Sequence, residues 1–148
     1  MPKYKLFNHT ADIGCEIFGK TRKELFANGV TALFDLILDR KRERGKSLVA
    51  AVRTTLEEKI ITINGNDLED LLINFLREVL YLFNGKKWVA LDCRPLEITR
   101  KRIVAPLQGE PYNRQKHPVK MEIKAVTYHG LSVEKTAQGW KAKVIFDV

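Results

Sequence analysis

The chain has 148 residues, 45% of them hydrophobic and 30% charged, with 9 Gly and 5 Pro, which describes one soluble globular domain, 1–148, large enough to bury a core. No apolar run approaches the roughly 18 residues of a membrane span and the stretch MPKYKLFNHT lacks an uninterrupted signal-peptide core, so a cytoplasmic protein is expected. Cys15 and Cys93 make neither a disulfide framework nor a CxxC pair and read as small buried hydrophobes, while the formal net charge of +8 favours an anionic partner, nucleic acid first, although a heat-adapted surface is charged in the same way.

In chain order, Tyr4–Phe7 and Ile13–Phe18 are short strand candidates that can pair as a hairpin across the polar His9–Asp12 segment. Thr21 with Glu24 is a capping box, and Leu25, Phe26, Gly29, Val30, Leu33, Phe34 and Ile37 recur at helical spacing, predicting a helix from about Arg22 to Leu38. Arg40–Lys46 holds five basic residues and one acid around a glycine, a solvated loop or an anion-binding patch. Leu48–Thr55 and Lys59–Asn64 are rich in β-branched residues and form either a hairpin or one bent strand.

The clearest periodicity is Leu68, Leu71, Leu72, Phe75, Leu76, Val79, Leu80 and Phe83, a helix with Asn66 as expected N-cap and Asn84-Gly85 as its stop. The remainder reads as strands: Trp88–Cys93, Glu97–Ala105, Val119–Thr127, Leu131–Thr136 and Trp140–Val148, with Thr127–Gly130 a turn between the third and fourth. Short connections favour antiparallel neighbours. The expected fold is α+β, a two-layer sandwich of a largely antiparallel sheet covered on one face by two helices and open to water on the other. Its core is expected to hold Leu71, Phe75, Val79, Ile123, Val144 and Phe146.

In the last strand Trp140, Ala142, Val144, Phe146 and Val148 share one face, leaving Lys141, Lys143, Ile145 and Asp147 on the wet one. Asp12 is in phase with Gly14 and Glu16, the polar set of its own strand. Two aspartates near neighbouring strand ends, with backbone carbonyls close by, offer hard oxygen ligands for Ca2+ or Mg2+. The residues alone leave open that Asp12 turns onto its own backbone and that Asp147 is merely exposed. His9, His117 and His129 are scattered, and no phosphate loop, GxSxG elbow or Cys/His zinc set is present.

Four separated motifs, His9-Thr10-Ala11-Asp12-Ile13-Gly14, Gly109-Glu110-Pro111-Tyr112, Lys124-Ala125-Val126-Thr127-Tyr128-His129 and Phe146-Asp147-Val148, resemble those of the archease family, and the resemblance spans essentially the whole chain. It implies a non-enzymatic activator of the RNA ligase that joins tRNA halves, promoting its guanylylation and turnover, and a chaperone-like partner of a tRNA cytosine methyltransferase. It also implies a divalent-metal site, Ca2+ before Mg2+ or Mn2+, at Asp12, Asp147 and Val148. Partner or substrate contacts are expected at His9, Glu110, Tyr112, Lys124, His129, Lys141 and Lys143. One departure stands out: where many relatives carry an acid after Gly-Glu-Pro-Tyr, this chain has Asn113, which offers an amide oxygen instead of a charged ligand. Two rival readings remain, a basic RNA-binding module built on Arg40–Lys46, Arg100–Arg102, Arg114 and Lys116, and a metal-dependent phosphoesterase built on the two aspartates.

Overall fold

A computed structural model describes residues 2–9, 12–40 and 56–148; most of the expected basic loop and the strand expected at Leu48–Thr55 lie outside the described residues. The described elements run β1 (Tyr4–His9), β2 (Asp12–Gly19), α1 (Arg22–Ile37), β3 (Glu57–Asn64), α2 (Leu68–Asn84), β4 (Trp88–Cys93), β5 (Glu97–Ile98), β6 (Arg102–Pro111), β7 (Ala125–Thr136) and β8 (Gly139–Asp147). All strand pairs are antiparallel, so the fold is α+β as expected. The strands divide between two four-stranded sheets, one ordered β1-β2-β8-β7 and one ordered β3-β6-β4 with β5 also on β6.

The helices hold the two sheets together. α1 packs on both β2 and β4, and α2 on both β7 and β4. That double contact explains why α1 buries residues nearly all round, from Leu25 and Phe26 to Leu36 and Ile37, including Asn28, whose Nδ2 donates to Phe18 O at 2.6 Å. Phe26 meets Phe75 at 5.5 Å between ring centroids and Phe34 meets Phe83 edge-on at 5.7 Å, so the helices are also locked to each other by aromatic pairs. Leu71, Phe75, Val79, Ile123, Val144 and Phe146 are all buried in one cluster.

Local chemistry sets the helix ends. Thr21 caps α1 by accepting from Glu24 N at 3.1 Å. The cap of α2 falls one residue later than the sequence suggests: Asp67, in extended conformation, accepts from Asp70 N at 2.8 Å, while Asp70 accepts from Asn66 N at 2.8 Å. Asn66 is thus the residue before the cap. At the other end Gly85 has φ −94°, and the left-handed conformation falls to Lys87 with φ 54°. A Cβ at Gly85 would come 2.5 Å from the exposed Tyr81 ring, which would have to swing aside to admit a side chain there.

Three strand boundaries differ from the alternation pattern. The Glu97–Ala105 run breaks at Thr99, whose Oγ1 accepts from Arg102 N at 3.1 Å and Lys101 N at 3.2 Å, making a tight turn that puts Arg100 and Lys101 at the tip of the β5–β6 hairpin. On the same edge of β6, Pro106 O accepts from Arg94 N, so the N–H that proline lacks also faces the gap between β4 and β5. Residues 119–124 alternate in burial without a ladder: Lys120 N donates to Ile37 O at 2.8 Å and Asn84 Nδ2 to Ile123 O at 3.0 Å, so the chain crosses the helix ends as irregular backbone, with Val119 exposed. The expected turn at Thr127–Gly130 is a bulge inside the continuous strand β7, where the pairing with β8 jumps between Thr127 and Ser132 and Gly130 takes φ +64°.

Replacing Phe75 by Ala is expected to cost about 3–5 kcal/mol through lost burial and the cavity left. Asp147→Ala, at a half-buried strand end, is expected to cost far less. Chemical denaturation of the two variants in metal-free buffer checks the ranking, and a larger loss for the aspartate variant would contradict it.

Candidate functional site

β2 and β8 pair along eight residues, and their register sets Asp12 directly opposite Asp147. His9 on β1 is the partner of Asp12, and Ala125 on β7 is the partner of Asp147, so the four residues form one rung across the end of the first sheet. Lys124 extends the rung through its backbone, donating to Asp147 O at 2.8 Å, with an exposed side chain. Asp12 and Asp147 are both half-buried and Val148 is exposed beside them.

Going up the same face, Gly14 is opposite Ile145 and Glu16 opposite Lys143. The face is only partly wet, contrary to the simple alternation. Ile145 is 2% exposed, with the β7 bulge at Gly130 against it, and the Phe7 ring lies so close over Gly14 that a Cβ could not fit beneath it. Lys143 Nζ stands 5.9 Å from the Phe7 centroid and Lys141 Nζ is 3.1 Å from Glu16 Oε2. Of the three lysines expected to attract substrate, Lys141 is held in an ion pair with Glu16, while Lys143 is exposed near the Phe7 ring. Lys124 is the expected basic contact next to the acids, and His129 lies exposed in the bulge.

Glu110 and Tyr112 sit elsewhere, at the end of β6 in the second sheet. Glu110 is 7% exposed and His117 2%, and His117 Nε2 lies 2.8 Å from Glu110 Oε1. Asn113 N donates to His117 Nδ1 at 2.9 Å, which leaves the ring proton on Nε2 and makes His117 the donor to Glu110. Lys116 Nζ contacts the other carboxylate oxygen at 2.8 Å, and Tyr112 stacks on His117 at 6.0 Å with Phe83 against its edge at 5.5 Å. This is a staple closing the loop after β6. Asn113 also organises it, its Oδ1 accepting from Gln115 N at 2.9 Å and Lys116 N at 3.0 Å, so this residue is used as a turn former. Burial raises the Glu110 pKa, but the hydrogen bonds from Lys116 and His117 and the charge of Lys116 outweigh it and hold the carboxyl below its ordinary value.

Sequence reasoning passed over a second polar cluster. Tyr128 OH donates to Asp70 Oδ1 at 2.7 Å, the Arg77 guanidinium lies 4.7 Å over the Tyr128 ring, and Arg77 Nε donates to Val126 O at 3.0 Å. The Asp70 carboxyl is held below its usual range, first by the Asn66 N–H and then by the Tyr128 hydroxyl, while the bond to Asp70 raises the Tyr128 phenol. Tyr128 belongs to a quoted motif, but Asp70 and Arg77 look like ordinary polar-face residues of a helix and carried no signal.

The profile of the Archease protein family matches residues 4–148. The chain belongs to the archease family. Protein archease of Methanosarcina acetivorans is 39% identical over 150 residues, covering 99% of this chain and 96% of that protein. Protein archease of Pyrococcus abyssi is 34% identical with both chains fully covered. Among solved structures, a Methanobacterium thermoautotrophicum protein superposes with a TM-score of 0.76 at 25% identity over the whole of both chains. The crystal structure of an archease from Thermotoga maritima, described there as a possible chaperone, superposes with a TM-score of 0.62 at 26% identity, covering 97% of this chain and 96% of that one. In this chain the fold carries the Asp12–Asp147 rung at one sheet end and the Glu110–His117 staple in the other sheet. No described helix is long and apolar enough to cross a membrane.

Because the Glu110 pKa is depressed in the folded state, its stabilisation is fully present above the ordinary glutamate value of 4.5 and is lost as pH falls below it through the folded value. Glu110→Gln is expected to cost about 1–3 kcal/mol at neutral pH and to flatten that acid limb. Denaturation midpoints measured from neutral pH to pH 3 check this, and an acid limb unchanged in the variant would contradict it.

Proposed function

We propose that this archease is a non-enzymatic accessory protein that activates the tRNA-splicing RNA ligase, promoting its guanylylation and repeated turnover in the cytoplasm, with a chaperone-like action on a tRNA cytosine methyltransferase as a second role. Family membership supports the accessory reading, and the observation that carries the working end is the cross-strand pair Asp12–Asp147. Directly opposed residues on neighbouring strands have Cβ atoms about 4.5–5.5 Å apart, and like charges so placed repel. A divalent cation held by the two carboxylates would offset that repulsion.

The donor set fits a hard cation. Asp12, Asp147 and a main-chain oxygen of Val148 would hold it, Ca2+ first and Mg2+ or Mn2+ as substitutes, at oxygen distances of about 2.0–2.6 Å. Among the described residues no group of three or more His, Cys, Asp or Glu side chains is arranged as a metal site, so the remaining coordination positions would fall to main-chain oxygens, water and the partner's own groups. When bound, the cation supplies a focus for phosphate oxygens. The chain's own contribution is positional: the rung fixes both carboxylates on rigid strands, Lys124 adds a positive charge beside them, and His9 and His129 are the expected further contacts with the ligase.

A basic RNA-binding module is the second reading, and the exposed Arg100, Lys101 and Arg102 at the β5–β6 turn favour it. The two readings separate in the mutants. In multiple-turnover joining of tRNA halves by the ligase with GTP and metal, Asp12→Ala with Asp147→Ala is expected to abolish stimulation while leaving the fold intact. Neutralising Arg100 and Lys101 is expected to alter only salt-sensitive association. Undiminished stimulation by the double aspartate variant would overturn the proposal.

A further inference from the structure

The outer side of α2 and the end of β3 border a shallow, open groove of about 470 Å3 lined by Thr62, Ile63, Asn64, Asn74, Arg77 and Glu78. We propose that this groove binds the ribose-phosphate of a ribonucleotide, with the Arg77 guanidinium on the phosphate and Glu78 and Asn74 on the sugar hydroxyls. The proposal is independent of the ligase reading and of the metal.

Arg77 is built to hold an anion. Its Nε is committed to Val126 O at 3.0 Å and its plane lies 4.7 Å over Tyr128, whose hydroxyl is pinned to Asp70 at 2.7 Å. Asp70 in turn is fixed by the Asn66 N–H at 2.8 Å. Among the described residues the terminal guanidinium nitrogens make no hydrogen bond or ion pair, so a rotamer held by two contacts to β7 leaves its two-donor edge unspent. Little side-chain entropy remains to be lost on binding.

The groove's other groups select what the anion is attached to. Glu78 sits beside Arg77 and disfavours a bare anion, yet a carboxylate accepts well from hydroxyl donors. Asn74 spends its Nδ2 on Asn64 O at 3.0 Å, which leaves its Oδ1 as a further acceptor. An anionic group with neighbouring hydroxyls is what a ribose-phosphate offers, and the volume lies in the range of small-molecule sites, about 300–1,000 Å3. A free amino acid, with its carboxylate on Arg77 and its ammonium on Glu78, is the competing occupant that the test has to exclude.

The test is calorimetric titration of the full chain with AMP, dAMP, inorganic phosphate, glutamate and a short oligoribonucleotide, alongside the variants Arg77→Gln and Glu78→Gln. AMP is expected to bind more tightly than inorganic phosphate or dAMP, and Arg77→Gln to weaken it about tenfold or more, the scale of a lost bidentate contact. Glu78→Gln is expected to reduce the preference for AMP over dAMP. Amide chemical shifts of Asn64 and Asn74 should move on adding AMP to the wild type, and unchanged thermal midpoints keep the variants interpretable; a variant that fails to fold is replaced by Arg77→Lys, which keeps the charge and loses the fork. Tighter, Arg77-dependent binding of the oligoribonucleotide assigns the site to RNA, and AMP binding alone assigns it to a free nucleotide, either outcome supporting the proposal. No AMP binding at millimolar concentration, equal affinity in the Arg77 variant, or tighter binding of glutamate than of AMP would overturn it.

Discussion

The pairing of β2 with β8 is the constraint on which the molecule's working end depends. It joins residues 12–19 to residues 140–147, nearly the full separation of the chain, so its ladder forms only at the cost of closing a very long loop. Burial offsets that cost: Cys15, Ile17, Ala142, Val144 and Phe146 on the inner face are covered by the two helices. Because the side-chain period of a strand is two, a one-residue slip would turn those residues to solvent and Asp12 to the core. The hydrophobic pattern therefore excludes odd slips, and the register adopted within that parity sets the acidic pair.

The second sheet meets a different need. Its contact with both helices closes the core from the far side, and the segment leaving β6 must return to β7 across the helix ends with a single antiparallel bridge, Val119 to Leu38, in place of a ladder. The Glu110–Lys116–His117 staple anchors its start, the Ile37 and Asn84 contacts hold its middle, and the Lys124–Asp147 bond delivers it to the acidic rung. Polar residues that stand together in sequence are thereby assigned to separate tasks, one group stabilising the return path and another facing outward at the rung.

The polar side of α2 shows how an ordinary amphipathic helix acquires a second use. Asp70, Asn74 and Arg77 follow one another on its surface at intervals of four and three residues. The β7 bulge brings Tyr128 over them, and β3 ends beside them. Neither neighbour is implied by the helix itself; both arise from the way the sheets flank it.

The sequence by itself determined the helices, the antiparallel α+β class and the core, because period 3.6 and period 2 patterns are written in local residue order and buried faces have to be apolar. Phe75, Ile123 and Phe146 could be placed inside without any tertiary information. It also put Asp12 and Asp147 on the same side of their strands. Whether those strands were neighbours, and in which register, was decided only by the tertiary structure, since pairing between distant segments leaves no trace in either segment's own periodicity. The same holds for the division into two sheets, for Val119–Lys124, whose alternation reflects one-sided burial without a named partner strand, and for the β7 bulge, where Thr-Tyr-His-Gly has the composition of a turn but the chain bulges out and resumes pairing with β8 at Ser132. Glu110 and Arg77 belong to that second class too, because a charged residue's partners are chosen by what the fold brings alongside it.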